Sequence, residues 1–181
     1  MDGPAPAVEG GHRSPSRLPA AALALPVMVA IVAFGVGQAN GAAPTCFGRE
    51  ATITSNAEFV PGTDGPDVIV TGNADKSVVA GGGGDRVCLG DGEDFARGDT
   101  GNDRLAGQRG PDKISGGSLD INETGSGDDH IVGGRGGDEL NGHDGADVIK
   151  GGDGDDIIRG GPGYDVCDGG PGQDTVRGCE G

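Results

Sequence analysis

A nine-residue pattern, G-G-x-G-x-D-x-U-x with U a large apolar residue, repeats through nearly two thirds of this chain. Its cleanest copies run from Gly142 to Lys150 and from Gly151 to Arg159. Six contiguous units begin at Gly62, Thr71, Ala80, Leu89, Gly98 and Gly107. The eight residues from Gly116 to Glu123 fall one short of the period. Six more units then begin at Thr124, Gly133, Gly142, Gly151, Gly160 and Gly169. The fourth position is glycine in every unit but one, which has Ala74. The sixth is Asp67, Asp85, Asp94, Asp103, Asp112, Asp129, Asp138, Asp147, Asp156, Asp165 and Asp174, with Lys76 the exception. The eighth is Ile69, Val78, Val87, Ala96, Leu105, Ile114, Ile131, Leu140, Ile149, Ile158, Cys167 and Val176. Each unit reads as a glycine-rich turn of six residues followed by a three-residue strand. So short a strand has one apolar side chain to bury, and it is stable only when stacked on its neighbours. The expected fold class is all-β.

From Gly62 to Arg177 the pattern resembles the repeats-in-toxin family of β-roll proteins. The resemblance implies a right-handed parallel β-roll, a β-solenoid with two units per turn, in which unit n stacks on unit n+2. It also implies several calcium ions between stacked turns, held by the position-six carboxylates and by backbone carbonyls of the glycine-rich loops. The cysteine-containing flanks and the terminal Gly178-Cys179-Glu180 further resemble a looser group of small secreted bacterial calcium-binding proteins.

The residue types agree with that chemistry on their own terms. Calcium takes six to eight oxygen ligands, and carboxylates with backbone carbonyls suit it. Glycine permits the positive φ that turns carbonyls inward. Position three adds Asp64, Asp91, Asp144 and Asp153, which read either as further ligands or as turn residues capping their own backbone. Position five is Pro, Gly, Ala, Glu, Asn, Tyr or Gln in units other than those with Asp, which reads as an outward side chain without a fixed task. Lys76 removes a carboxylate and repels a cation, so the C-terminal units should bind calcium more strongly than the N-terminal ones.

Charge gives the repeats a second meaning. The formal net charge is −16, 41 of 181 residues are glycine and tryptophan is absent, a composition ordinarily typical of disorder. One apolar side chain per unit is little burial against the entropy of ordering nine residues. Columns of aspartates about 4.8 Å apart would also repel. Divalent cations remove that repulsion and tie adjacent turns, so calcium-coupled folding is expected. The same acidity opposes nucleic-acid binding.

The flanks divide the chain into residues 1–41, 42–61, 62–177 and 178–181. Arg13 and Arg17 precede an apolar run, Leu18 to Val36, and a small-residue stretch follows, as in a secretory signal peptide cleaved before Ala42. An uncleaved membrane anchor is the competing reading. In either case the repeats lie outside the cytoplasm, and a secreted protein is expected. Residues 42–61 read as a cap, with Ala51-Thr52-Ile53-Thr54 a strand and Ile53, Phe59, Val60 and Phe47 available to close the core. Four cysteines allow three pairings. Cys46–Cys88 and Cys167–Cys179 are favoured, one staple per end. No zinc spacing, nucleophile motif, nucleotide loop or EF-hand occurs, and His130 and His143 are isolated, so no enzyme is expected. Asn122-Glu123-Thr124 is a formal glycosylation sequon. The expected partner is calcium, on a monomer. A cell-surface adhesion or matrix protein using the roll as spacer or binding face is the alternative.

Overall fold

The computed structural model describes Gly3, residues 42–118 and residues 127–180. The leader or anchor expected before Ala42 and the sequon at Asn122 lie outside the described residues. Two seven-stranded parallel sheets face each other, with a two-stranded antiparallel hairpin, Thr45–Cys46 and Arg49–Glu50, at the N-terminal end. The first sheet stacks Ile53–Ser55, Val68–Thr71, Arg86–Asp91, Arg104–Arg109, His130–Arg135, Val148–Asp153 and Val166–Asp168. The second stacks Phe59–Thr63, Ser77–Gly82, Phe95–Thr100, Lys113–Gly117, Glu139–Asn141, Ile157–Arg159 and Thr175–Arg177. Successive strands alternate between the sheets, so every second unit stacks in register: Ile69 on Val87, Val87 on Leu105, and Ile131 on Ile149. This is a β-solenoid of the β-roll kind, with about six turns.

The period of nine positions the core. Position eight points inward from both sheets, and Ile69, Val78, Val87, Ala96, Leu105, Ile131, Leu140, Ile149 and Ile158 are fully buried. At the C-terminal end the burial fades, with Cys167 half-buried and Val176 exposed. Positions two and four hold the left-handed backbone that glycine favours, as at Gly152 (φ 123°) and Gly154 (φ 141°). Strands extend beyond three residues in the middle of the roll, where positions one to three continue the ladder.

Two expectations about boundaries need correction. The solenoid starts before Gly62. Ile53 pairs with Ile69 and Val60 with Val78, so both stand at position eight of early turns, and Glu58 stands in line with Lys76. The Glu58 carbonyl accepts the Ser77 N–H at 2.7 Å, the bond Asp67 makes with Arg86 one unit later. Ile53 and Val60 close the core as expected. Phe47 and Phe59 are exposed and do not.

The register on either side shows that the excess is not a separate segment between units. Gly117 pairs with Asp99, a position-two residue. Gly127 (φ 102°) stacks on Gly101, a position-four residue. The unit carrying Asp129 therefore begins at Gly116, not Thr124, and the excess falls between positions two and four. Downstream register is unharmed, because His130 pairs with Arg104 and Ile131 with Leu105.

Both favoured disulfides are present. Cys46–Cys88 ties the hairpin to the first sheet, with Cα atoms 5.8 Å apart, and Cys167–Cys179 closes the C-terminal end, with Cα atoms 5.9 Å apart.

Candidate metal sites between turns

Each sheet is preceded by one column of position-six residues. Before the first sheet stand Asp67, Asp85, Asp103, Asp129, Asp147 and Asp165. Before the second stand Lys76, Asp94, Asp112, Asp138, Asp156 and Asp174. Within a column the backbone N–H of each residue donates to Oδ1 of the aspartate one turn on. The distances are 2.8 Å from Asp85 to Asp103, from Asp129 to Asp147 and from Asp138 to Asp156. This ladder uses one carboxylate oxygen per aspartate and fixes where the other points.

The other oxygen is stranded. Oδ2 of Asp85, Asp94, Asp103, Asp112, Asp129, Asp138, Asp147, Asp156 and Asp165 is buried without a hydrogen-bond partner. Buried carboxylate oxygens in native proteins are rarely left so, and each needs an explanation. The glycines supply one. At Gly98, Gly107, Gly116, Gly133, Gly142, Gly151 and Gly160, all at position one, an added Cβ would collide with Oδ2 of the same unit's aspartate. It would also meet, inside 3.0 Å, the carbonyl oxygen of the position-one glycine one turn on. Carboxylate and carbonyl thus converge on a space that only glycine leaves open. Among the described residues no three His, Cys, Asp or Glu side chains gather as a metal cluster. A cation here therefore depends on backbone oxygens as much as on side chains, and that hard, all-oxygen donor set fits calcium.

Electrostatics shows the strain of leaving these groups charged. Burial pushes the Asp129 carboxyl up to about 8, with Asp103 and Asp147 adding repulsion against the relief of the Asp103 N–H. Burial likewise raises Asp103 and Asp112 to about 7, and Asp85, Asp138 and Asp147 to about 6. Asp94 and Asp156 are raised for the same first reason.

The remaining site candidates lie elsewhere. Asp67 has both oxygens engaged: Thr63 donates its N–H and hydroxyl to Oδ2, each at 2.8 Å, and the Thr52 hydroxyl reaches Oδ1 at 3.3 Å. Asp174 stands at the open end of its column. At position three, Asp64, Asp144 and Asp153 are exposed and Asp91 is half-buried. Asp91 and Asp153 face Arg109 and Arg135 at 3.8 and 3.7 Å. Asp91 and Asp144 also lie near enough to Asp94 and Asp147 to add repulsion to the effect of burial.

Position five has a task that its variety in sequence hides. Wherever it is Asp or Asn, its side chain accepts the position-five N–H one turn on: Asp75 from Glu93, Asn102 from Asp128, Asp128 from Ala146 and Asp155 from Gln173. Lys76 is buried at 7% exposure, its ammonium 3.4 Å from the carbonyls of Asn73 and Asp75 in its own turn. His130 is half-buried in a strand, and His143 (φ 75°) contacts Asn141 at 2.7 Å.

The sequence model of the RTX calcium-binding nonapeptide repeat matches four times, over residues 61–96, 97–118, 123–157 and 141–176. These matches cover more than half of the chain, and it belongs to that family of calcium-binding β-roll proteins. Calcium binding in the roll is its molecular property. No curated protein and no solved structure matches it.

Proposed function

We propose that this is an exported, non-enzymatic protein whose roll is completed by calcium, with the ions acting as structural cement between turns. The carrying observation is the row of stranded Oδ2 atoms, each set against a glycine cradle and a carbonyl from the next turn. The best-formed cradles belong to Asp103, Asp112, Asp129, Asp138, Asp147, Asp156 and Asp165. Bound calcium would neutralise facing carboxylates and bridge successive turns. Binding only to the folded chain stabilises it by mass action. Half-saturation in the range of about 10⁻⁴–10⁻³ M suits an extracellular module. Far-UV circular dichroism of the protein from Ala42 onward, in chelator and in calcium, tests this reading. Gain of β-structure and of melting temperature with calcium supports it. Equal spectra and equal melting in both conditions refute it.

One observation favours the adhesion reading as a second possibility. The outward seventh and ninth positions of the first sheet carry Arg86, Arg104, His130 and Lys150, and Asp91 and Asp153 of the same strands face Arg109 and Arg135. A cationic face on a chain of net charge −16 suits an anionic surface. Salt-sensitive retention of the calcium-loaded protein on an anionic matrix, lost in Arg86→Ala/Arg104→Ala, tests that.

A further inference from the structure

The first column does not end where the repeats end. Its last regular member is Asp165, and the next place in the column is filled after fifteen residues instead of eighteen. Glu180 takes that place. The Asp165 N–H donates to Glu180 Oε2 at 2.9 Å, as the Asp147 N–H donates to Asp165 Oδ1 at 2.9 Å. The Glu180 N–H donates back to the Asp165 carbonyl at 2.8 Å, as the Val166 N–H does to the Asp147 carbonyl at 2.8 Å. Both hydrogen bonds of a further turn are thus supplied by one residue from a shorter path. Its longer side chain covers the missing distance, and the neighbouring Cys179 is fastened to Cys167.

The same end also keeps a cradle. An added Cβ on Gly160 would overlap the carbonyl oxygen of Gly178 and Asp165 Oδ2, the arrangement found at Gly142 with Gly160 and Asp147. Asp165 is 0% exposed and its Oδ2 has no partner. The second column ends otherwise: the atoms nearest a Cβ on Gly169 all belong to Asp174 of its own unit.

We propose that the C-terminal tail builds a terminal divalent-cation site from Asp165 Oδ2, the Gly178 carbonyl and the Glu180 carboxylate, held in place by the Cys167–Cys179 bond. This rests on the calcium reading above and adds a ligand outside the repeats. Its consequence is a redox-sensitive last site, because reduction frees the segment that carries Glu180.

Native mass spectrometry of the oxidised full chain in calcium counts the ions. Glu180→Gln keeps side-chain length and an acceptor for the Asp165 N–H, and removes the charge. The expected result is one ion fewer than the parent, with the others retained. Cys167→Ser/Cys179→Ser should lose the same ion, and adding Glu180→Gln to it should cost no more. Should Glu180→Gln alone fail to fold, the cysteine pair carries the test. An unchanged ion count in these variants overturns the terminal site and leaves the general calcium reading standing. Absence of bound calcium in the parent overturns both.

Discussion

Residues 62–97 and residues 98–178 share one fold and differ in what fills it. In the later part every position-one residue is glycine, and a cradle lies beside a stranded carboxylate oxygen. In the earlier part position one is Gly62, Thr71, Ala80 and Leu89, and the last three are buried, Ala80 and Leu89 completely. A side chain there occupies the space that glycine leaves open elsewhere. The earlier part answers some of its polar groups from within the chain, although Oδ2 of Asp85 and Asp94 stays stranded there too. Thr63 and Thr52 satisfy Asp67, the Lys76 ammonium reaches two carbonyls of its turn, and Cys46–Cys88 fastens the hairpin. The two parts thus differ in whether position one leaves a cradle open beside the aspartate. Under the proposed calcium role, the expectation is that the N-terminal turns need less calcium than the turns that stack on them.

The most damaging way to break this contrast is to close a cradle. Gly142→Ala would drive a methyl group into Asp147 Oδ2 and the Gly160 carbonyl. The expected outcome in calorimetry is loss of one calcium ion and a higher calcium midpoint for folding. Undiminished binding would show that position one does not gate the site.

Next in size is the contrast between neighbours Asp156 and Asp155. Asp156→Ala removes a stranded buried oxygen and the acceptor of the Asp138 N–H, which costs about 1–3 kcal/mol and raises the calcium midpoint. Asp155 is exposed and accepts only the Gln173 N–H, so Asp155→Ala should shift the midpoint slightly. Equal shifts in a dichroism-monitored titration would mean that calcium merely screens charge.

Acid should act oppositely on the two forms. In the folded chain Asp103 and Asp112 titrate near 7 and Asp129 near 8, against an ordinary 3.8. The folded state therefore binds protons more tightly than the unfolded one. Stability from these groups is full below about pH 4 and is lost as pH rises to about 8. In chelator, lowering the pH from 8 to 5 should therefore promote folding, read as a gain of β-structure by circular dichroism. In calcium the melting temperature should fall over the same range, because protons compete for the carboxylates. Parallel slopes would contradict the assignment.

The smallest effect is expected at Lys76. Lys76→Met leaves the Asn73 and Asp75 carbonyls without their donor, a loss of about 1 kcal/mol. That loss should be the same with and without calcium. Rescue by calcium would show that the lysine displaces an ion rather than serving in its place.

Much of this was legible in the chain itself. The strict spacing of aspartate and aliphatic residues predicts the stacked roll, the buried eighth position and the two columns, because a solenoid repeats its contacts at the period of its sequence. Residues 53–61 escaped notice because they lack the glycines and carry Glu58 where the pattern has aspartate. The extra residues before Gly127 shifted the apparent unit boundary, since an insertion inside a turn and one between turns look alike until strands are paired. The cradle depends on which way a position-one Cβ points, and Glu180 joins the column after an irregular step of fifteen residues. Neither follows from spacing.

Hydrogen exchange of the protein from Ala42 onward, read by mass spectrometry in chelator and in calcium, tests the division most directly. In chelator, amides of residues 53–97 should remain protected while those from Gly98 onward exchange freely, and calcium should protect both. Uniform protection in chelator, or uniform loss across the two parts, would contradict the account.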